Sequence, residues 1–241
     1  MAPYQMMILS ANYWSLVEMG KRRIGNIRRR RSTKEPKVRF TLFCEGRNTE
    51  PEYFLAIKKV WTGALVSIES RGGVGAPITI AKQALEFAKS EGLSLGSKRR
   101  RNLFEERDQV WAVFDRDEHE RYEEAVNLCE VNGIGLAISN PCFEVWLILH
   151  ERDYDKPDGR HQAQKELKRL RPEYEKDGAK VPNCEEMVAR VMDAEERGEA
   201  MRRRRESEMD PHGCPSTTVG ELTKAIREAD STAASGSLPE H

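Results

Sequence analysis

Glu45 closes the run Lys37–Cys44 (KVRFTLFC) and is followed by Gly46, while Asp115 and Asp117 close the run Gln109–Phe114 (QVWAVF) with Arg116 between them. Both runs are short, β-branched and aromatic, the composition of strands that pass into loops. Side chains two apart on an extended chain point the same way, so Asp115 and Asp117 share a direction. If the two strand ends meet at one edge of a sheet, three carboxylates repel one another unless a cation sits among them. Mg²⁺ (or Mn²⁺) suits such a set, because it takes oxygen ligands, keeps several waters and bridges carboxylates to phosphates. Taken singly, Glu-Gly is most often a turn and Asp-x-Asp a cap or a solvated loop. Their joint placement after two apolar runs is what points to a metal and to phosphate chemistry.

Other residues gather around these acids. Arg47 and Arg116 flank them and are placed to hold phosphate oxygens bidentately, or to pair with a neighbouring carboxylate. His119 follows the Asp-x-Asp pair, with proton transfer or a phosphate contact on one reading and an exposed helix-start histidine on the other. Glu144, within Asn140-Pro141-Cys142-Phe143-Glu144, is either a further metal ligand or an acid favoured at a helix start by the dipole.

The elements that must position these residues alternate. Lys37–Cys44, Leu65–Glu69, Gln109–Phe114 and Ile134–Ser139 read as strands. Helical patterns fall at Pro51–Val60, Ile78–Lys89 and Tyr122–Asn132, with Phe143–His150 as a buried helical turn. That order predicts a mostly parallel sheet with helices on both faces, and in such sheets ligands bind beyond the carboxyl ends of the strands. Glu50 and Glu52 read as first-turn acids of the first helix. The loop Gly72–Pro77 is glycine-rich and opens a helix, but lacks the Lys-Ser/Thr of a Walker A loop and reads as turn chemistry.

Beyond His150 the chain becomes charged. A short helix is expected near Gln162–Leu170, one long polar helix over Cys184–Arg205, and a last amphipathic helix over Thr217–Ala229 capped by Ser216 or Thr217. The expected organisation is a basic, irregular leader over 1–35, a metal-binding core over 36–150, a helical extension over 151–229 and a disordered tail over 230–241.

Composition narrows the class. The 241 residues carry 40 basic and 40 acidic side chains, so net charge alone makes no case for a polyanionic partner. Basic blocks do occur at Lys21–Lys34, Lys98–Arg101 and Arg202–Arg205, each readable as a phosphate-binding patch or as a solvated face. Five scattered cysteines with no CxxC pair suggest reduced thiols and a cytoplasmic location, without a disulfide framework or zinc site. The segment through Val17 is neither a convincing signal peptide nor a membrane span.

The stretches FTLFCEGRNTEPEYF, WAVFDRDEH and AISNPCFEVWLILH, in this order over Val38–His150, resemble the RloB family of bacterial defence-locus proteins. That family is in turn similar to the Toprim fold of topoisomerases, primases and OLD-type nucleases. The resemblance implies that Glu45 is the catalytic acid or base and that Asp115 and Asp117 bind Mg²⁺. It also implies that Pro215–Val219 is the family's closing motif, although an N-cap is the simpler reading of its Ser and Thr. The implied function is an anti-phage abortive-infection effector, a Mg-dependent nuclease of RNA (such as tRNA) or DNA, partnered by a separate ATPase. The alternative is a non-catalytic nucleic-acid-binding or scaffold subunit of an ATPase-containing complex.

Overall fold

A computed structural model of the protein describes residues 38–61, 66–73, 75–93, 108–116, 121–174 and 181–235. The chain enters the sheet with β1 (Val38–Cys44) and continues through α1 (Thr49–Trp61), β2 (Val66–Arg71), α2 (Pro77–Ser90), β3 (Gln109–Asp115), α3 (Tyr122–Val131) and β4 (Gly135–Asn140). Helices α4 (Glu144–Glu151), α5 (Arg160–Leu170), α6 (Cys184–Val188) and α7 (Val191–Ser207) follow, then the two-residue β5 (Ser216–Thr217) and α8 (Val219–Ser235). The sheet order is β2-β1-β3-β4-β5. The first four strands are parallel, and β5 pairs antiparallel with β4. This is the mostly parallel α/β architecture that the alternating pattern predicts.

Parallel strands covered on both faces are apolar throughout, and β1 and β3 divide their side chains between two cores. Phe40 and Leu42 on β1 and Val113 on β3 face a large cluster built with α1, α4, α5, α6, α7 and α8. Phe43 on β1 and Ala112 and Phe114 on β3 face a smaller one built with α2 and α3. By this alternation Asp115 inherits the face of Val113 and emerges beside α1 and α4. The large cluster takes residues from the Val38–His150 segment and from the segment after it, among them Leu167, Met187, Met201 and Leu222. The charged half of the chain therefore builds the same core as the sheet.

Two expectations are corrected. The single helix over Cys184–Arg205 is two, α6 and α7, separated at Ala189–Arg190. The indole of Trp61 donates to the Val188 carbonyl at 3.0 Å, taking an acceptor that an unbroken helix would use internally. The last helix continues through Ser235, past Ala229 and into the segment read as a disordered tail.

Candidate functional site

Glu45 leaves β1 without leaving the sheet, because its N–H donates to the Val113 carbonyl of β3 at 3.0 Å. Its side chain turns across to the same strand, where Oε2 accepts the N–H of Asp115 at 3.1 Å. Two acids 70 positions apart in sequence thus share one strand end. Asp115, the last residue of β3, is 8% exposed. Its Oδ2 accepts from Nη2 of Arg160, the first residue of α5, at 3.1 Å.

Two further carboxylates join them. Glu50, in the first turn of α1, is buried and folds back so that Oε1 accepts the Gly46 N–H at 2.9 Å. A Cβ at position 46 would lie 2.0 Å from Glu50 Oε2, so the glycine after Glu45 makes room for this acid. Glu144 begins α4, also buried, and its Oε1 accepts from the Tyr174 hydroxyl at 2.6 Å and from Gln164 Nε2 at 3.2 Å. Alongside, the Ser139 hydroxyl, in register with Asp115 on β4, shares a hydrogen bond of 2.9 Å with Thr217 on β5.

The electrostatics follow from this crowding. Burial pushes the Asp115 carboxyl well above its ordinary value, and Glu50, Glu45 and Glu144 push it further while Arg160 opposes them. Burial also raises Glu50; the N–H donors of residues 46 and 50 oppose the rise, and Glu144 and Glu45 add to it. The Cys142 thiol is driven up by burial and by the neighbouring Glu144 and Asp115. Negative charge is therefore in excess around Asp115, with Arg160 as its counter-ion. All the donor atoms are carboxylate oxygens, so both the charge and the chemistry suit a hard divalent cation. Among the described residues, however, no three His, Cys, Asp or Glu side chains converge closely enough to hold a metal ion. Glu45, Glu50, Asp115 and Glu144 each engage a protein donor instead.

Of the residues singled out in the sequence, the structure brings Glu45, Asp115 and Glu144 to one edge. Asp117 and His119 lie outside the described residues. Arg47 is exposed, with its stem against Gly73, where an added Cβ would meet Arg47 Cγ at 2.6 Å. Arg116 donates to the His212 carbonyl at 2.5 Å and lies over the Tyr122 ring at 5.6 Å. Thr217 accepts the Val219 N–H at 3.3 Å, so the closing motif is a strand whose last side chain holds the amide of the first residue of α8.

Of the basic blocks, Arg202–Arg205 is spent internally: Arg202 and Arg203 pair with Glu199, and Arg204 and Arg205 with Asp155. The other two blocks, 21–34 and 98–101, lie outside the described residues.

Glu50, Arg160, Gln164 and Tyr174 are the site residues that sequence reasoning passes over. Glu50 has a faint signal, a glycine four positions before a first-turn acid. Arg160, Gln164 and Tyr174 sit in a charged stretch where nothing marks them.

The fold and this edge define an α/β protein with acids gathered at the carboxyl ends of a parallel sheet. Residues 40–226 match the family model described as RloB-like protein, and the chain belongs to that family. Comparison with curated proteins and with solved structures returned no match. Among the described residues no helix is long and apolar enough to cross a membrane.

Proposed function

We propose that the chain is a Toprim-type, Mg²⁺- or Mn²⁺-dependent nuclease that hydrolyses nucleic-acid phosphodiesters, in RNA such as tRNA or in DNA, and serves as a cytoplasmic anti-phage effector beside a separate ATPase. The observation that carries this reading is the meeting of Glu45 and Asp115 at one strand end, 70 residues apart in sequence. Membership of the RloB-like family supports it.

Asp115, Glu144 and Asp117 are the residues that would hold the cation, with Glu45 at its margin. When bound, the cation supplies charge neutralisation and Lewis acidity at phosphoryl oxygens. Glu45, whose carboxylate already holds the Asp115 amide, is the group that takes or gives a proton at the phosphodiester. Arg47, Arg116 and His119 are the donors assigned to phosphate oxygens.

The test is incubation of the full chain with RNA and with DNA, with and without Mg²⁺ or Mn²⁺. Cation-dependent cleavage by wild type that Asp115→Ala abolishes is the expected result; absence of cleavage in both under activating conditions counts against the reading.

A second reading, a non-catalytic nucleic-acid-binding or scaffold subunit, draws on one observation: Glu45, Glu50, Asp115 and Glu144 each already have a protein donor. Calorimetry separates the two. The nuclease reading expects a divalent cation to bind and Asp115→Ala to abolish that binding, whereas the scaffold reading expects neither.

A further inference from the structure

Helix α5 touches the acids twice. Arg160 Nη2 reaches Asp115 Oδ2 at 3.1 Å, and Gln164 Nε2 reaches Glu144 Oε1 at 3.2 Å. Residues four apart occupy one side of a helix, and that side also carries Ala163 and Leu167, both fully buried. The first turn of α5 is therefore clamped between the core and two of the acids assigned to the cation. The Arg160 side chain is 36% exposed and the Asp115 side chain 11%, so the guanidinium caps the acid from the solvent side.

A divalent cation needs several oxygen ligands at short range, and no such set is assembled among the described residues. Asp115 is held by an arginine, Glu144 by an amide and a phenol. A cation at both acids would compete with Arg160 for Asp115 Oδ2 and with Gln164 for Glu144 Oε1, and its charge would be repelled by the guanidinium. The guanidinium is thus the positive charge that compensates Asp115 here, at the place where a cation would have to neutralise it.

We propose that α5 is a latch in competition with the divalent cation: Arg160 and Gln164 hold the metal-free carboxylates, and cation binding releases the first turns of the helix. This rests on the reading above that Asp115 and Glu144 are metal ligands. It makes Arg160 a positioning residue and makes α5 the element through which metal occupancy reaches the helical half of the molecule.

The experiment is calorimetric titration of Mn²⁺ into the full chain as wild type, Arg160→Gln and Arg160→Lys, with amide hydrogen exchange followed over α5. With the competitor removed, Arg160→Gln should bind Mn²⁺ roughly two- to fivefold tighter, the range expected for one partly exposed ion pair. Arg160→Lys, which keeps the charge on a different head group, should fall between it and wild type. In wild type, exchange in the first two turns of α5 should quicken on Mn²⁺ addition. Cation binding by wild type that Arg160→Gln leaves equal or weakens overturns the latch and leaves the metal site standing. Binding by Arg160→Gln but not by wild type supports the latch outright. Absence of binding in all three proteins sinks the metal reading and the latch with it.

Discussion

Tyr174 donates its hydroxyl to Glu144 Oε1 at 2.6 Å, across 30 positions of sequence and with both residues buried. An aromatic side chain from the charged half of the chain thus fixes an acid that starts a core helix. Tyr174→Phe leaves the ring in place and removes the donor from a buried acceptor, which should cost roughly 1–3 kcal/mol. Urea unfolding measures it, and a loss below a few tenths would show that Glu144 is satisfied without the phenol.

Gly46 is required by its neighbour rather than by its own backbone. In Gly46→Ala the new methyl group falls on the Glu50 carboxylate, 2.0 Å from Oε2, and must expel it from the Gly46 N–H. Loss of that bond to the Glu50 carboxylate should destabilise the protein by roughly 1–3 kcal/mol, read from the denaturant midpoint. A variant as stable as wild type would mean that Glu50 has a second resting place.

His150 supplies a pH dependence with a definite sign. The ring is buried between Tyr53 and Trp146, with Nε2 at 3.1 Å from the Tyr53 hydroxyl and Nδ1 at 3.1 Å from the Trp146 carbonyl. The carbonyl can only accept, so Nδ1 carries the proton and Nε2 accepts from Tyr53. Burial pushes the imidazole down to about 4 from its ordinary 6.5, against the pull of the Trp146 carbonyl. The unfolded chain therefore binds a proton that the native chain refuses, and the His150 contribution to stability fades as pH falls from 6.5 towards about 4. Nitrogen-detected NMR should find a neutral ring with a protonated Nδ1 at pH 5.5. A ring that titrates near 6.5 would contradict the assignment.

Asp115 works in the opposite direction. Its carboxyl is raised above the ordinary 3.8, so the native state holds a proton that the unfolded chain has released. Stability conferred by the neutral form is lost as pH climbs from 3.8 through the raised value. Asp115→Asn keeps an oxygen for Arg160 without the charge, and in the presence of a chelator should be at least as stable as wild type at neutral pH. It should also lose any stabilisation that Mn²⁺ gives wild type. Thermal unfolding with and without Mn²⁺ checks both, and a less stable Asp115→Asn in chelator would mean that the ionised pair with Arg160 outweighs the crowding.

The sheet was readable because its signals are local. Strands β1 and β3 are largely apolar, β-branched and aromatic runs ended by acid and glycine or by an Asp-x-Asp pair, and their alternation with helical patterns leaves few arrangements. Glu45 and Asp115 were legible for the same reason, since each stands where a strand runs out. Arg160 and Tyr174 were not, because their roles depend on where α5 and the turn after it dock, and surface-like charge gives no register for docking. The break between α6 and α7 escaped notice because the side chain that meets the Val188 carbonyl there, the Trp61 indole, lies more than a hundred residues away.

The short antiparallel pairing of Ser216 and Thr217 with β4 has a bearing on synthesis. All the acids described at this edge are translated by residue 144, yet the strand that flanks β4 is supplied more than seventy residues later. A nascent or proteolysed product that stops before Cys214 would carry those acids while leaving the outer edge of β4 at Ser139 and Asn140 without its partner, an open edge for other copies to pair with. Damaged or unfinished chains should therefore self-associate more readily than the whole chain.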